Sequence, residues 1–98
     1  MLPKNRPTLP GEFISEDILK ELSITEKELA KAIGVSPETV QGIVDEGKRI
    51  TADMAVRLSR FTKTTPEMWL NLQAAVDLWD VCHSPHFEKI RIIAPYAA

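Results

Sequence analysis

The sequence has few of the features that define secreted, membrane-spanning or nucleotide-binding proteins. Its single cysteine excludes an internal disulfide framework. No apolar run approaches the ~18–20 residues of a membrane-spanning helix. The first ten residues are polar and proline-rich and contain no hydrophobic signal segment, so we expect a cytoplasmic protein without membrane contact. The chain also lacks a Gly-x-Gly-x-x-Gly motif, a phosphate-binding loop and a Ser/His/Asp set.

Metal-ligating residues are scarce as well. Cys82, His83 and His86 lie in one short stretch, but a structural zinc site normally needs four ligands and the sequence offers no other cysteine or histidine. Pro85 interrupts any local helix, and adjacent residues of a helix do not face each other, so a Cys–His nucleophile pair is not indicated. We therefore expect no metal, no cofactor and no catalytic residue.

The charge of the 98-residue chain is small overall but unevenly distributed. A formal net charge of −2 counts against nucleic-acid binding, because such binding depends on neutralising phosphates. Residues 48–63, however, contain five Lys or Arg and one Asp, whereas residues 64–88 contain four acids and no Lys or Arg. This asymmetry fits a single domain with two unlike faces, and at this length it also fits chance.

The stretch Thr25–Arg49 predicts a helix, a tight turn and a second helix. Thr25 is a favourable N-cap, and the glutamate three residues later completes a capping box. Gly34 can take the left-handed conformation that ends a helix in a tight turn. Ser36 then caps a second helix, and Pro37 occupies its first position, where a missing N–H group is not needed.

Both of these helices have an apolar face. Its residues are Leu29, Ala30 and Ile33 in the first helix and Val40, Ile43 and Val44 in the second. The residues left outside on the second helix are Glu38, Thr39, Gln41 and Gly42. A helix-turn-helix unit that reads DNA needs this arrangement, because its second helix exposes short polar side chains while the opposite face packs on the first helix. The same spacing also fits a helical hairpin of a small bundle without a ligand.

Three further helices are predicted around this unit, at Pro10–Leu22, Thr51–Thr62 and Thr65–Val81. The apolar stripe of the first comprises Phe13, Ile14, Ile18, Leu19 and Leu22. The third is apolar on two sides, so we expect one side in the core and part of Leu78–Val81 against a partner. Arg57 and Arg60 share a face of the Thr51–Thr62 helix, where phosphate, an acidic partner and solvent are all open as their surroundings.

The two ends of the chain lie outside this helical domain, which we place at residues 10–81. Residues 1–9 predict an extended arm with three prolines at or beside it, and we expect a solvated tail rather than a phosphate contact through Lys4 and Arg6. Residues 82–98 form a C-terminal extension, which we expect to contact a second subunit or another partner. Its segment Lys89–Tyr96 fits a short strand or a helix about equally.

Four segments give the chain a family likeness. They are Pro10-Gly11-Glu12, Glu28–Ser36 (ELAKAIGVS), Gly47–Phe61 (GKRITADMAVRLSRF) and Pro66–Trp79 (PEMWLNLQAAVDLW). With these segments the chain resembles the HigA-type (VapI-like) antitoxins of the Xre/Cro helix-turn-helix family. The resemblance implies an all-α, five-helix DNA-binding domain that acts as a homodimer, binds a palindromic operator and represses its own operon. It also implies a partner toxin, typically an mRNA endonuclease of the HigB type, which the antitoxin neutralises by binding.

The resemblance also implies which residues meet DNA. Positions Ser36–Gly42 would lie in the major groove, and Thr25–Glu26 and Lys48–Arg49 would lie near phosphates. The DNA-binding residues expected here are Thr25, Ser36, Glu38, Thr39, Gln41, Lys48 and Arg49. Related proteins usually have a neutral residue where Glu26 stands, and residues 25–47 carry two Lys against five acids. We therefore expect operator binding that is weak or strongly dependent on salt.

The sequence thus predicts a dimeric, cytoplasmic transcriptional repressor and antitoxin. A second hypothesis is a protein-interaction module on the same fold with little or no affinity for DNA, and the acidic second helix motivates it. An enzyme is a third class, which only the Cys82–His86 cluster suggests.

Overall fold

All regular structure in residues 3–97, the part of the chain that the computed structural model describes, is helical. Helix α1 covers residues 10–22 and consists of an α-helical turn, Pro10–Phe13, followed by a π-helical segment, Ile14–Lys20. The other helices are α2 (Glu26–Ile33), α3 (Pro37–Glu46), α4 (Ala52–Thr62), α5 (Pro66–Cys82) and α6 (Phe87–Arg91). The predicted all-α fold with five helices and a short extension is confirmed.

The structure of the C-terminal extension decides between the two conformations predicted for it, a strand and a helix. Residues 87–91 form the short helix α6, and no strand is present in residues 3–97, so the strand alternative is wrong. A lone strand would leave its backbone N–H and C=O groups without partners, whereas a helical turn pairs them within the segment. Met1, Leu2 and Ala98, the ends of the predicted arm and extension, lie outside the described residues.

The starts of α2, α3, α4 and α5 lie where the sequence predicts them because hydroxyl side chains cap them. Thr25, Ser36, Thr51 and Thr65 each accept a hydrogen bond from the backbone N–H three residues later. The predicted capping box at Thr25 is complete, since Glu28 Oε1 also accepts from the Thr25 N–H at 3.0 Å. These caps fix the boundaries of the helix-turn-helix unit to within a residue of the prediction.

The core lies between α1 and the α2–α5 helices, with Trp69 at its centre. Trp69 is fully buried, packs edge-to-face on Phe13 with ring centroids 5.5 Å apart, and donates from Nε1 to Thr64 Oγ1 at 3.0 Å. The other fully buried large side chains are Ile14, Leu29, Leu58, Val40 and Val76. The predicted inward position of Leu22 is wrong, because its side chain is 54% exposed. The π-helical segment before it contains more residues per turn than an α-helix, which rotates Leu22 out of the buried stripe.

Gly11 brings the backbone of α1 directly onto α3. A β-carbon added at Gly11 would stand 2.1 Å from the carbonyl oxygen of Ile43 and 3.2 Å from the α-carbon of Val44. Only glycine permits this approach, because backbone atoms cannot move aside as a flexible side chain can. The position of α3 in the domain therefore depends on a residue that carries no side chain.

Arg57 joins α4 to the turn between α2 and α3. Its NH1 donates to the carbonyl oxygens of Ile33 at 2.8 Å and Gly34 at 3.2 Å, and its Nε donates to Asp53 at 2.7 Å. Carbonyl groups at a helix C-terminus lack partners within the helix, so the guanidinium satisfies two of them. Arg57 thus stabilises the turn instead of lying free in solvent.

The N-terminal arm is largely exposed, as expected of a solvated tail, but it also contacts α5, which the sequence did not indicate. Arg6 forms a two-pronged ion pair with Asp80, with hydrogen bonds of 2.9 and 2.8 Å, and Trp79 Nε1 donates to the Pro3 carbonyl oxygen at 3.2 Å. The donor Arg6 holds the pKa of Asp80 below its ordinary value. These contacts join residues more than 70 positions apart, and no local sequence pattern indicates them.

Candidate nucleic-acid interface

The outer surface of α3 carries the side chains expected to read bases. Ser36, Glu38, Thr39 and Gln41 are all exposed. Ser36 Oγ accepts from the Thr39 N–H at 3.2 Å and shares a second hydrogen bond with Thr39 Oγ1 at 2.8 Å. Both hydroxyls therefore have a partner within the helix start, whereas Glu38 and Gln41 have no hydrogen bond to another side chain among residues 3–97.

Gly42 is covered, and the prediction that it lies outside on α3 is wrong. The Lys48 side chain covers it, since a β-carbon at Gly42 would stand 2.9 Å from Lys48 Cδ. The covering follows from the end of α3, where Gly47 takes a left-handed conformation (φ 67°) and the Lys48 N–H donates back to the Gly42 carbonyl at 3.0 Å. Lys48 thus lies across α3 with its ammonium group 3.7 Å from the Glu46 carboxylate.

Arg49 is held by α5. Its NH1 donates to Asp77 Oδ1 at 2.7 Å, and the same oxygen accepts from Gln73 Nε2 at 3.1 Å. Gln73, which is buried, in turn accepts from the Ile50 N–H at 2.9 Å through its Oε1. The hydrogen bond from Arg49 holds the pKa of Asp77 below its ordinary value. Sequence reasoning missed this contact because Arg49 and Asp77 are 28 positions apart.

Glu26 lies at the start of α2 beside Asp45 near the end of α3. Partial burial raises the pKa of Glu26, and the charge of Asp45 and a hydrogen bond to it raise it further. Two neighbouring carboxylates repel each other, so a proton at this pair is favoured. Thr25, immediately before Glu26, already uses its hydroxyl oxygen to cap α2.

A surface groove of about 470 Å³ brings together four of the seven residues expected to contact DNA. Glu38, Thr39, Lys48 and Arg49 line it, together with Asp53 at the start of α4. Its floor is apolar and comprises Val35, Ile43 and Met54. Thr25, Ser36 and Gln41 do not line the groove. The groove therefore joins part of the expected DNA-binding set, two cations with one carboxylate and a threonine, to a second carboxylate on one surface beside α3.

His83, in the Cys82–His86 stretch, packs against Trp79. The His83 ring stacks on the Trp79 ring with centroids 3.8 Å apart, and its Nδ1 lies 2.8 Å from the Trp79 carbonyl oxygen. Within residues 3–97 no group of three or more His, Cys, Asp or Glu side chains could hold a metal ion. In the same residues no helix is both long and apolar enough to cross a bilayer.

The chain is similar to known helix-turn-helix proteins over most of its length. A helix-turn-helix family model matches residues 16–69, which include α2, α3 and α4. Antitoxin HigA-1 of Vibrio cholerae is 39% identical over 92 residues, which cover 94% of this chain and 86% of that protein. An uncharacterized HTH-type transcriptional regulator of Haemophilus influenzae is 43% identical over 84 residues, which cover 86% of this chain and 78% of that protein.

Solved structures give the same result. Antitoxin GraA in complex with its operator superposes with a TM-score of 0.86 at 40% identity and covers 100% of this chain and 99% of its own. Antitoxin HigA of Pseudomonas aeruginosa, solved with the higBA promoter, superposes with a TM-score of 0.84 at 37% identity and covers 94% of this chain and 100% of its own. Identity at this level over nearly the whole length shows more than a shared fold.

Proposed function

Because this chain belongs to the HigA-type antitoxins of the Xre helix-turn-helix family, we propose that it binds the operator of its own operon, represses it, and neutralises a HigB-type mRNA endonuclease. The family is a class of DNA-binding regulators and antitoxins, so the protein is not an enzyme. Two relatives of the same fold bound to operator or promoter DNA support the DNA-binding part of the proposal.

The observation that carries the proposal is the surface around α3. Four exposed polar side chains, Ser36, Glu38, Thr39 and Gln41, occupy its first half, and Lys48 and Arg49 flank it. In the major groove, Gln41 can pair with adenine and Glu38 can accept from cytosine N4, while the two cations meet phosphates. Thr25 contributes through the start of α2, where backbone N–H groups favour an anion.

The antitoxin role requires a surface away from DNA, and we assign the C-terminal half of α5 and the extension at 82–98 to subunit and partner contacts. Leu78 and Val81 are 58% and 44% exposed, and Ile92 and Ile93 beyond α6 are both 72% exposed. Exposed apolar side chains of this kind typically become buried on association. A homodimer would place two copies of α3 on the two halves of a palindromic operator.

The test is a fluorescence-anisotropy titration of the purified chain with labelled duplexes at two salt concentrations. One duplex carries the DNA directly upstream of the gene, and the other carries the same bases scrambled. Binding that prefers the upstream duplex by about a hundredfold or more supports the repressor. Equal and weak binding to both duplexes contradicts it.

Carboxylates at the interface favour a second candidate, a protein-interaction module that binds a toxin but has little affinity for DNA. Glu26, Asp45 and Glu38 oppose phosphate, and Asp77 already engages Arg49. Capture of the toxin by a chain that shifts neither duplex would support this candidate over the repressor.

Glu26→Gln should tighten operator binding at neutral pH by about two- to fivefold, because it removes one carboxylate near the phosphates.

The same change should alter the dependence of the free energy of unfolding on pH. The pKa of Glu26 is raised in the folded chain, so the fold favours the protonated carboxyl. Its contribution to the free energy of unfolding is therefore fully present below the ordinary glutamate pKa and is lost as the pH rises through the raised value. Urea unfolding should therefore show the variant more stable than the parent near pH 7 and equal to it near pH 4. An advantage that persists at the acidic pH would contradict the carboxylate repulsion.

Gly42→Ala should weaken operator binding by about two- to fivefold while leaving the fold intact, since the new methyl group displaces the Lys48 stem. Alanine favours helix by up to about 1 kcal/mol over glycine, which offsets the local repacking. Anisotropy and urea unfolding measure the two effects separately. In a chain that already carries Lys48→Ala, the second substitution should leave DNA affinity unchanged. A full loss there as well would show that Gly42 acts by another route.

A further inference from the structure

Four groups form a continuous hydrogen-bonded connection from α5 to the loop after α3. Asp77 Oδ1 accepts from Arg49 NH1 at 2.7 Å and from Gln73 Nε2 at 3.1 Å, and Gln73 Oε1 accepts from the Ile50 N–H at 2.9 Å. The amide of Gln73 therefore fixes both the carboxylate that holds Arg49 and the backbone that immediately follows Arg49.

We propose that Asp77 is a positioning residue for DNA binding, which orients the Arg49 guanidinium toward the phosphate backbone while Gln73 fixes Asp77 in place. The proposal rests on the function argued above, in which Arg49 contacts phosphate. Asp77 itself lies on α5, outside the residues expected from the family likeness to touch DNA.

The geometry favours orientation over competition for the same guanidinium. Arginine has five N–H donors in a rigid plane, and the bond to Asp77 uses NH1 alone. The Arg49 side chain stays 66% exposed, whereas Asp77 is only 35% exposed. The remaining donors of Arg49 therefore face solvent from a fixed position, and a phosphate can accept from them without breaking the bond to Asp77.

Fixing Arg49 before DNA arrives should increase affinity because a free arginine side chain loses rotamer freedom when it binds. The opposing effect is that the Asp77 carboxylate offsets part of the guanidinium charge. The Arg49 guanidinium is largely exposed, however, so the Coulomb energy at it is strongly screened and the loss of attraction to phosphate is small. Orientation should therefore outweigh charge.

Asp80 provides a matched control on the same helix. Like Asp77 it is a carboxylate of α5 that pairs with one arginine, but its partner is Arg6 of the N-terminal arm. Replacing either aspartate with alanine removes one negative charge and one ion pair. The two variants differ in whether the arginine released belongs to the proposed DNA surface.

The experiment measures anisotropy with the upstream duplex for the full chain, Asp77→Ala, Asp77→Asn, Asp80→Ala, Arg49→Ala and the double variant of Arg49 and Asp77. Asp77→Ala should bind about three- to tenfold more weakly despite its more positive charge, and its salt slope should fall by about one. Asp77→Asn retains an oxygen that can accept from Arg49 and should recover part of the affinity. Asp80→Ala should bind as the parent does, and Asp77→Ala should have no further effect once Arg49 is alanine.

The outcomes separate this inference from the proposed function. If Arg49→Ala weakens binding and Asp77→Ala binds as tightly as the parent or more tightly, the positioning role is wrong and the phosphate contact stands. If Arg49→Ala binds the duplex like the parent, the phosphate contact is wrong and the positioning role fails with it. Circular dichroism verifies folding, and if Asp77→Ala unfolds, Asp77→Asn decides. Binding by Asp77→Asn that is weaker than the parent's supports the inference, and binding at least as tight as the parent's contradicts it when Arg49→Ala weakens binding.

Discussion

A chain with alanine in place of Gly11 should lose about 3 kcal/mol of its free energy of unfolding, at the upper end of the usual cost of overpacking. The new β-carbon would stand 2.1 Å from the Ile43 carbonyl oxygen, so α1 must move away from α3. Domains of this size have a net stability of only ~5–15 kcal/mol, which makes the loss a large share of the total. Urea unfolding followed by circular dichroism measures it.

Gly42→Ala is the matched control for this experiment. Both variants add one methyl group to a buried glycine, but at Gly42 the contact is with the flexible side chain of Lys48. The control should unfold within about 1 kcal/mol of the parent. Equal stability of the Gly11 variant and the parent would contradict the close backbone contact between α1 and α3.

Reversing the charges of Lys48 and Arg49 together should weaken operator binding by about a hundredfold or more. Each glutamate replaces an attraction to phosphate by a repulsion on the loop beside α3. The fold should persist because both side chains are largely exposed, at 68% and 66%. Anisotropy with the upstream duplex measures the loss, and circular dichroism tests the fold.

Charge reversal of Arg60 and Lys63 is the control for this pair. Both residues are exposed on α4 and its end, and neither forms an ion pair within residues 3–97. The control changes the net charge by the same amount on a different surface. If the control weakens operator binding as much as the reversal at Lys48 and Arg49, then overall charge and not the α3 surface determines affinity.

The elements of this fold that depend on local chemistry could be predicted from the sequence. Hydroxyl caps at Thr25, Ser36, Thr51 and Thr65 act within one turn, so the local sequence indicates where α2, α3, α4 and α5 begin. The apolar stripes of α2 and α3 also follow helical periodicity and are buried as expected, apart from Val44, which is partly buried. Leu22 is the exception, since periodicity assumes an α-helix and the Ile14–Lys20 segment is π-helical.

The features that could not be predicted depend on contacts between distant residues. The ion pairs of Arg6 with Asp80 and of Arg49 with Asp77 form only when the chain has folded. In the sequence alone, each of these charged residues has many equivalent possible partners. The burial of Gly42 depends on the path of the chain after Gly47, which returns Lys48 to α3. The residues expected to contact DNA were predicted from the family likeness. The hydrogen bonds that these residues form could not be predicted, because they depend on the folded structure.

The fluorescence of the two tryptophans can be used to follow two different parts of this protein. Trp69 is fully buried in the core. Trp79 is partly exposed, stacks on His83 and donates a hydrogen bond to the Pro3 carbonyl oxygen of the arm. Indole emission depends on the surroundings of the ring, so the two residues respond to different events. Emission from Trp69→Phe would report the surroundings of Trp79, which include the arm and the His83 ring, and emission from Trp79→Phe would follow loss of the core.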